Sequence, residues 1–301
     1  MTAHVSTAGM FSRVIARMEG LRQSAIRLQD QVSTGQRLQR PSDDPAAAAG
    51  VRQGERADRL AEADGFALSR AAERIALADT ALETIGEGLL RARELALAAA
   101  SGAGGGDARQ AVAAELMSLH DTLLAAVNTC DPAGVPLFSG SAGHRAFVLD
   151  EEGVARYAGD AAPPLLRFHN GRALAVGVTG QDIFNAGPAG DALALLGRVA
   201  GALRSDPATA QAVAATAVTS LDDALAAFAQ VRARLGAMDA ATGTLRDMHA
   251  DEALARAELR DRLGGADLAE SVARLQQTLA ALEASRATFS RLSALSLFDH
   301  L

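Results

Sequence analysis

Apolar residues near the start of the chain fall at alternating intervals of three and four: Phe11, Val14, Met18, Leu21, Ala25, Leu28 and Val32. That spacing puts them on one stripe of an α-helix, a heptad seam that faces a partner helix. The seam stops at Ser33-Thr34-Gly35, where glycine can take the left-handed conformation that closes a helix. Pro41-Ser42-Asp43-Asp44-Pro45 then opens a second helix, with Asp44 placed to cap free amides and Pro45 suited to the first turn. From Ala46 to about Ala100 no proline intervenes, and Leu68, Ile75, Leu82, Ile85 and Leu89 continue the three-four rhythm. At 1.5 Å per residue such a helix runs on the order of 80 Å, which predicts a rod. Ser101 to Gly106 breaks it, and Asp107 can cap a return helix carrying Val112, Leu116, Leu119, Leu123 and Val127.

The period changes after the turn Asp131-Pro132-Ala133-Gly134. Phe147 to Leu149 and Val154 to Tyr157 flank Glu152-Gly153, while Leu165 to His169 and Arg172 to Val178 flank Asn170-Gly171, a strong hairpin signal. Helical spacing resumes after Asp206-Pro207, with Val218, Leu221, Leu225, Phe228, Leu235, Met238 and Leu245 on one seam until Gly264-Gly265. Asp267 with Glu270 forms a capping-box pattern ahead of Leu268, Val272, Leu275, Leu279 and Leu282. Phe289, Leu292 and Leu295 extend that face with a shifted phase.

The pattern is nested, so the two halves of the chain must pair. It predicts a mainly α fold: a long antiparallel helical rod, paired terminal coiled-coil helices and a small β-rich insert. Residues 1–40 with 266–301 form the terminal assembly domain, 41–130 with 191–265 the helical rod, and 131–190 the insert. The expected assembly interface is Phe11, Val14, Met18, Leu21, Leu28 and Val32 with Leu268, Val272, Leu275, Leu279, Leu282, Phe289, Leu292 and Leu295.

Composition agrees with a helical chain: 49% of the 301 residues are hydrophobic, only 3% are aromatic, and Trp is absent. A net charge of −7 argues against a nucleic-acid partner, which needs a dense positive surface. Every basic residue is Arg, a usage to which no function is assigned. Cys130 stands alone, which excludes an intramolecular disulfide. No uninterrupted apolar run approaches the ~18 to 20 residues of a membrane helix, so no membrane insertion is expected. The Arg-rich first forty residues could suggest a transit peptide or a membrane-surface helix. The matching seam at the far end of the chain argues against both, because a cleaved presequence would leave it without a partner.

Catalytic patterns are missing. The histidines at 4, 120, 144, 169, 249 and 300 have no metal-ligand spacing with one another or with Cys130. Gly104 to Gly106 lacks the Gly-Lys-Ser/Thr ending of a phosphate-binding loop, and Ser139 and Ser141 are not in a nucleophile elbow. The adjacent carboxylates Asp43-Asp44 and Asp222-Asp223 read as capping and solvated groups. No catalytic residue, cofactor or metal is expected, and the chain reads as a non-enzyme.

Gln31-Val32-Ser33-Thr34-Gly35-Gln36-Arg37-Leu38 followed by Pro41-Ser42-Asp43-Asp44-Pro45 resembles the flagellin superfamily, and within it the hook-associated protein 3 branch, which forms the hook–filament junction. Leu89 to Ala96 is similar to the flagellin rod segment. Ala126 to Thr129 with Leu137 to Gly140, and Gly180 to Phe184, resemble the entry to and exit from that branch's β domain. Val231 to Gly236 resembles the return rod, and the ending Leu295 to Leu301 the junction branch. The resemblance implies a secreted structural subunit, exported unfolded by the flagellar type III pathway and placed at the distal end of the hook. It further implies that the subunit assembles with itself and with neighbouring axial proteins, another hook-associated protein and flagellin, after handling by an export chaperone. Filament flagellin is the alternative within the superfamily. A coiled-coil signalling or secretion-needle component is the alternative of another class, against which the Asn170-Gly171 hairpin counts.

Overall fold

The computed structural model describes residues 7–102, 105–185, 190–205 and 207–298. In chain order the elements are α1 (Thr7–Thr34), α2 (Pro45–Ala100), α3 (Gly106–Val127), β1 (Phe147–Leu149), β2 (Ala155–Tyr157), β3 (Leu165–Arg167), β4 (Ala173–Ala175), α4 (Gly180–Ile183), α5 (Ala192–Ser205), α6 (Pro207–Gly264) and α7 (Leu268–Phe298). The fold is mainly α with two small antiparallel sheets, β1-β2 and β3-β4. Leu166 lies opposite Leu174 across the β3-β4 turn that Asn170-Gly171 marks in the sequence.

Contacts divide the chain into two units. Residues 1–59 with 251–301 make one, and residues 60–250 the other.

In the larger unit α2, α3, α5 and α6 share one hydrophobic cluster. Leu82, Ile85 and Leu89 from α2, Leu116 and Leu123 from α3, Leu193 and Leu196 from α5 and Leu221 from α6 are fully buried. Each lies on the three-four stripe of its own helix, which is why amphipathic spacing ends in a closed core. Among the described residues α6 is long and apolar enough to cross a membrane by length and composition alone, which the sequence reading did not expect, and 33% of its apolar window is buried. Its fully buried alanines, Ala214, Ala217 and Ala224, belong to this cluster.

The strand region shares that cluster through Phe138, Phe147 and Phe184. Phe147 meets Tyr157 and Phe184 edge to face, with centroids 5.4 and 5.6 Å apart. Asn128 at the end of α3 pins β1 by donating from Nδ2 to the Phe147 carbonyl and accepting the Phe147 amide, both at 3.0 Å. Arg74 of α2 reaches the loop before the strands, donating to the carbonyls of Pro136 at 2.6 Å and Leu137 at 3.1 Å, with Asp131 3.3 Å away.

Two details differ from the sequence reading. α3 is preceded by Gly105, with no side-chain cap, and Asp107 lies inside its first turn, where its charge complements the exposed amides. α5 is an additional helix, begun by Asp191, whose Oδ1 accepts the Leu193 amide at 2.7 Å. Burial pushes the Asp191 carboxyl up to about 6, against the opposing effect of the Leu193 and Ala194 amides, His120 and Arg198. Asp191 lines an open cleft of about 580 Å³ with Arg156, Tyr157, Gln181, Asn185 and Arg198. Its carboxylate is committed to starting α5.

Candidate assembly interface

The smaller unit is organised around α1 and α7, which pack antiparallel. Phe11 near the start of α1 meets Phe289 near the end of α7 edge to face, centroids 5.5 Å apart. At the opposite end Gln36 bridges Gly265.

The Ser-Thr-Gly to Pro-Ser-Asp-Asp-Pro segment makes that end. Gly35 adopts φ 67°, a conformation that a β-carbon disfavours, and turns the chain out of α1. Its carbonyl accepts the Ala266 amide at 2.9 Å, and the Arg37 amide donates to the Gly264 carbonyl at 2.8 Å. The Arg37 guanidinium donates to the Leu263 carbonyl at 2.7 Å, taking up one of the free acceptors at the end of α6. Asp44 accepts the Ala47 amide at 3.0 Å, and that bond, ahead of Arg37, holds its carboxyl below the usual carboxylate range. Asp43 accepts the amides of Gln39 and Arg40. The adjacent acids therefore stabilise turns. Asp58 completes the unit by accepting from Arg256 and Arg260, each at 2.9 Å.

Within α1, Phe11, Val14, Met18, Leu21, Leu28 and Val32 are half-buried and Ala25 is buried. Along α7 the inward positions run Ser271, Leu275, Thr278, Leu282, Ser285 and Phe289, again at intervals of four and three. Leu268, Val272 and Leu279 are exposed at 49%, 38% and 44%. The expected α7 residues thus separate into an inward set, Leu275, Leu282 and Phe289, and an outward set. The side chains of Leu292 and Leu295 lie outside the described residues. Asp267 accepts the Glu270 amide at 3.0 Å, whereas the Glu270 side chain pairs with Arg274 at 2.6 Å instead of closing the capping box.

Ile15 and Ile26 of α1 are also exposed, at 52% and 51%. They are about three turns apart and so share one side of the helix; Val272 and Leu279, about two turns apart, do the same on α7. These residues lie off the stripes that the two helices turn toward each other. Sequence reasoning passed over Ile15 and Ile26 because it followed the heptad seam alone.

Among the described residues no group of three or more His, Cys, Asp or Glu could hold a metal ion.

Comparison with known proteins gives this arrangement a context. Residues 5–143 match the bacterial flagellin N-terminal helical region. Flagellar hook-associated protein 3 of Escherichia coli (strain K12) is 28% identical over 291 residues, 90% of each chain. The protein of that name in Salmonella typhimurium (strain LT2) is 26% identical over an alignment of 316 positions, 98% of each chain. The solved structure of a flagellar hook-associated protein from Vibrio parahaemolyticus superposes with a TM-score of 0.68 at 20% identity, covering 74% of this chain and all of that one. The flagellar junction protein FlgL from Legionella pneumophila gives a TM-score of 0.58 at 16% identity, over 72% of this chain and all of that one. The two structures carry the fold. With the curated relatives and the N-terminal match, they bear out the resemblance to the flagellin superfamily and its hook-associated protein 3 branch.

Proposed function

We propose that this chain is a structural subunit of the bacterial flagellum, an adaptor at the junction between hook and filament that assembles through its terminal helices. The observation that carries the proposal is the leftover apolar surface of α1 and α7: Ile15, Ile26, Leu268, Val272 and Leu279 remain exposed after the two helices pair. Five such side chains on two adjoining helices gain by burial against another subunit, each by roughly 0.5 to 1.5 kcal/mol because about half of each is already covered. Similarity to hook-associated protein 3 along 90% or more of the chain supports placing that contact in the flagellum.

On this reading the terminal helices, residues 1–40 and 266–301, form the assembly domain, with residues 41–130 and 191–265 as the rod and 131–190 as the insert. The partners are further copies of the chain and the neighbouring axial proteins, flagellin and another hook-associated protein. The subunit leaves the cell through the flagellar type III pathway, escorted beforehand by an export chaperone, and takes its place at the distal end of the hook. Its role is mechanical, not enzymatic. Mostly local helical contacts suit such a route, because they let a chain refold quickly after leaving a narrow channel.

The match of residues 5–143 to flagellin keeps a filament subunit as the second reading. Quantifying the chain in isolated flagella separates the two. A junction adaptor amounts to one ring's worth of copies whatever the filament length. A number that grows with filament length would overturn the junction assignment.

A further inference from the structure

The β3-β4 hairpin does more than extend the strand region. At its tip, Phe168 is 8% exposed and stacks on His249 of α6, centroids 6.3 Å apart and planes 30° apart. The adjacent His169 reaches α2. Its amide donates to Oδ1 of Asp64 at 3.2 Å, and its Nδ1 lies 2.5 Å from Oδ2. The Asp64 side chain is 8% exposed and that of His169 is 41% exposed, so a carboxylate is covered by a residue that itself stays at the surface.

We propose that the β3-β4 hairpin is a detachable strap, locked across the α2 and α6 positions that carry Asp64 and His249 by the Asp64–His169 clasp and the Phe168 plug. Strands of three residues in a two-stranded sheet are not stable on their own, so the hairpin keeps its form by docking. A buried carboxylate disfavours the docked state unless it is hydrogen-bonded, and His169 meets both of its oxygens. Docking is therefore conditional on that one residue, whose amide meets Oδ1 and whose ring meets Oδ2. Without it, the covered carboxylate gains more from water than from the hairpin, and release lets the strap leave while the helices beneath it persist. The inference does not depend on the assembly reading.

Arg167 and Arg172 bracket the tip, which makes trypsin a direct probe. Purified full-length protein is digested briefly, the cut sites are read by mass, and helix content is followed by circular dichroism. Cleavage after Arg167 or Arg172 is expected to rise on the order of 10- to 100-fold in His169→Ala and in Asp64→Asn, the range associated with a charged hydrogen bond. Helix content should be unchanged, and the double variant should cut no faster than the faster single one. Phe168→Ala should open the same two sites. His169 is partly exposed and Asp64→Asn keeps the side-chain volume, so the helices can persist in both. Rates within about twofold of wild type in all the single variants would overturn the proposal. So would cleavage spreading equally into α2 and α6, which would mean that the clasp holds the whole unit together.

Discussion

Phe11 and Phe289, from opposite ends of the chain, meet edge to face with their ring centroids 5.5 Å apart. The contact lies at the far end of the α1-α7 pair from the Gly35–Ala266 hydrogen bond, so the two fix the antiparallel register between them. Such an aromatic pair is worth about 0.5 to 1.5 kcal/mol beyond its buried area. A double-mutant cycle with Phe11→Ala and Phe289→Ala, read as amide exchange in α1, should return a coupling of about 1 kcal/mol in that range. Additive effects would mean that the rings do not hold the register.

Arg74 ties α2 to the loop that leads into the strands. Replacing it with Met leaves Asp131 and the Pro136 and Leu137 carbonyls without this partner in a partly buried place. Removing one member of a buried ion pair costs about 3 to 5 kcal/mol at full burial, and Arg74 and Asp131 retain 13% and 16% side-chain exposure. A loss of about 2 to 4 kcal/mol in urea unfolding is expected, most of it in the larger unit. A loss under about 0.5 kcal/mol, the size of an ordinary surface change, would show that the loop is held by its apolar contacts alone.

Asp191 makes stability depend on pH in the direction opposite to an ordinary salt-bridged acid. Burial raises its carboxyl from 3.8 to about 6, so between those values the folded protein binds a proton that the unfolded chain does not. Stability therefore falls as pH rises from about 4 to about 6 and stays lowered above that. A shift of about two units corresponds to at most about 3 kcal/mol. Urea midpoints across this window should decline in wild type relative to Asp191→Asn, which can still cap α5. Parallel profiles would show that the carboxyl titrates normally.

Much of the fold is legible in the sequence because its cues are local. Gly35, Asp44, Pro45 and Asn170-Gly171 mark ends and turns that each depend on a few neighbouring residues. The facing of α7 is less legible. Its inward stripe alternates Leu275, Leu282 and Phe289 with Ser271, Thr278 and Ser285, so following apolar residues alone also collects Val272 and Leu279 from the outer side. Small polar side chains tolerate an inward position because their hydroxyls can bond the preceding turn, as Thr278 does to the Arg274 carbonyl at 2.7 Å and Ser285 to that of Ala281 at 2.7 Å. The Asp64–His169 clasp and the Arg74 contacts join residues far apart in the chain, and no spacing rule connects them. α5 was legible in principle, since Ala192, Leu195, Leu196, Val199 and Leu203 keep helical spacing. The sequence reading resumes helical spacing only after Asp206-Pro207 and so leaves this stretch out.

Leu279 and Leu282 separate folding from assembly most directly, since Leu279 is 44% exposed and Leu282 only 8%. In a strain lacking this gene, complemented with wild type, with Leu279→Asp or with an empty vector, the decisive measurement is electron microscopy of the flagella, alongside detection of the exported protein and amide exchange of each purified chain. Leu279→Asp is expected to leave exchange in α1 and α7 within about 0.5 kcal/mol of wild type, as for a surface change. It should still be exported and yet yield hooks without filaments, as the empty vector does, because an unpaired charge cannot be buried against a neighbouring subunit. Normal filaments in the empty-vector strain would contradict the junction role, and normal filaments with Leu279→Asp would contradict assembly through the outer face of α7.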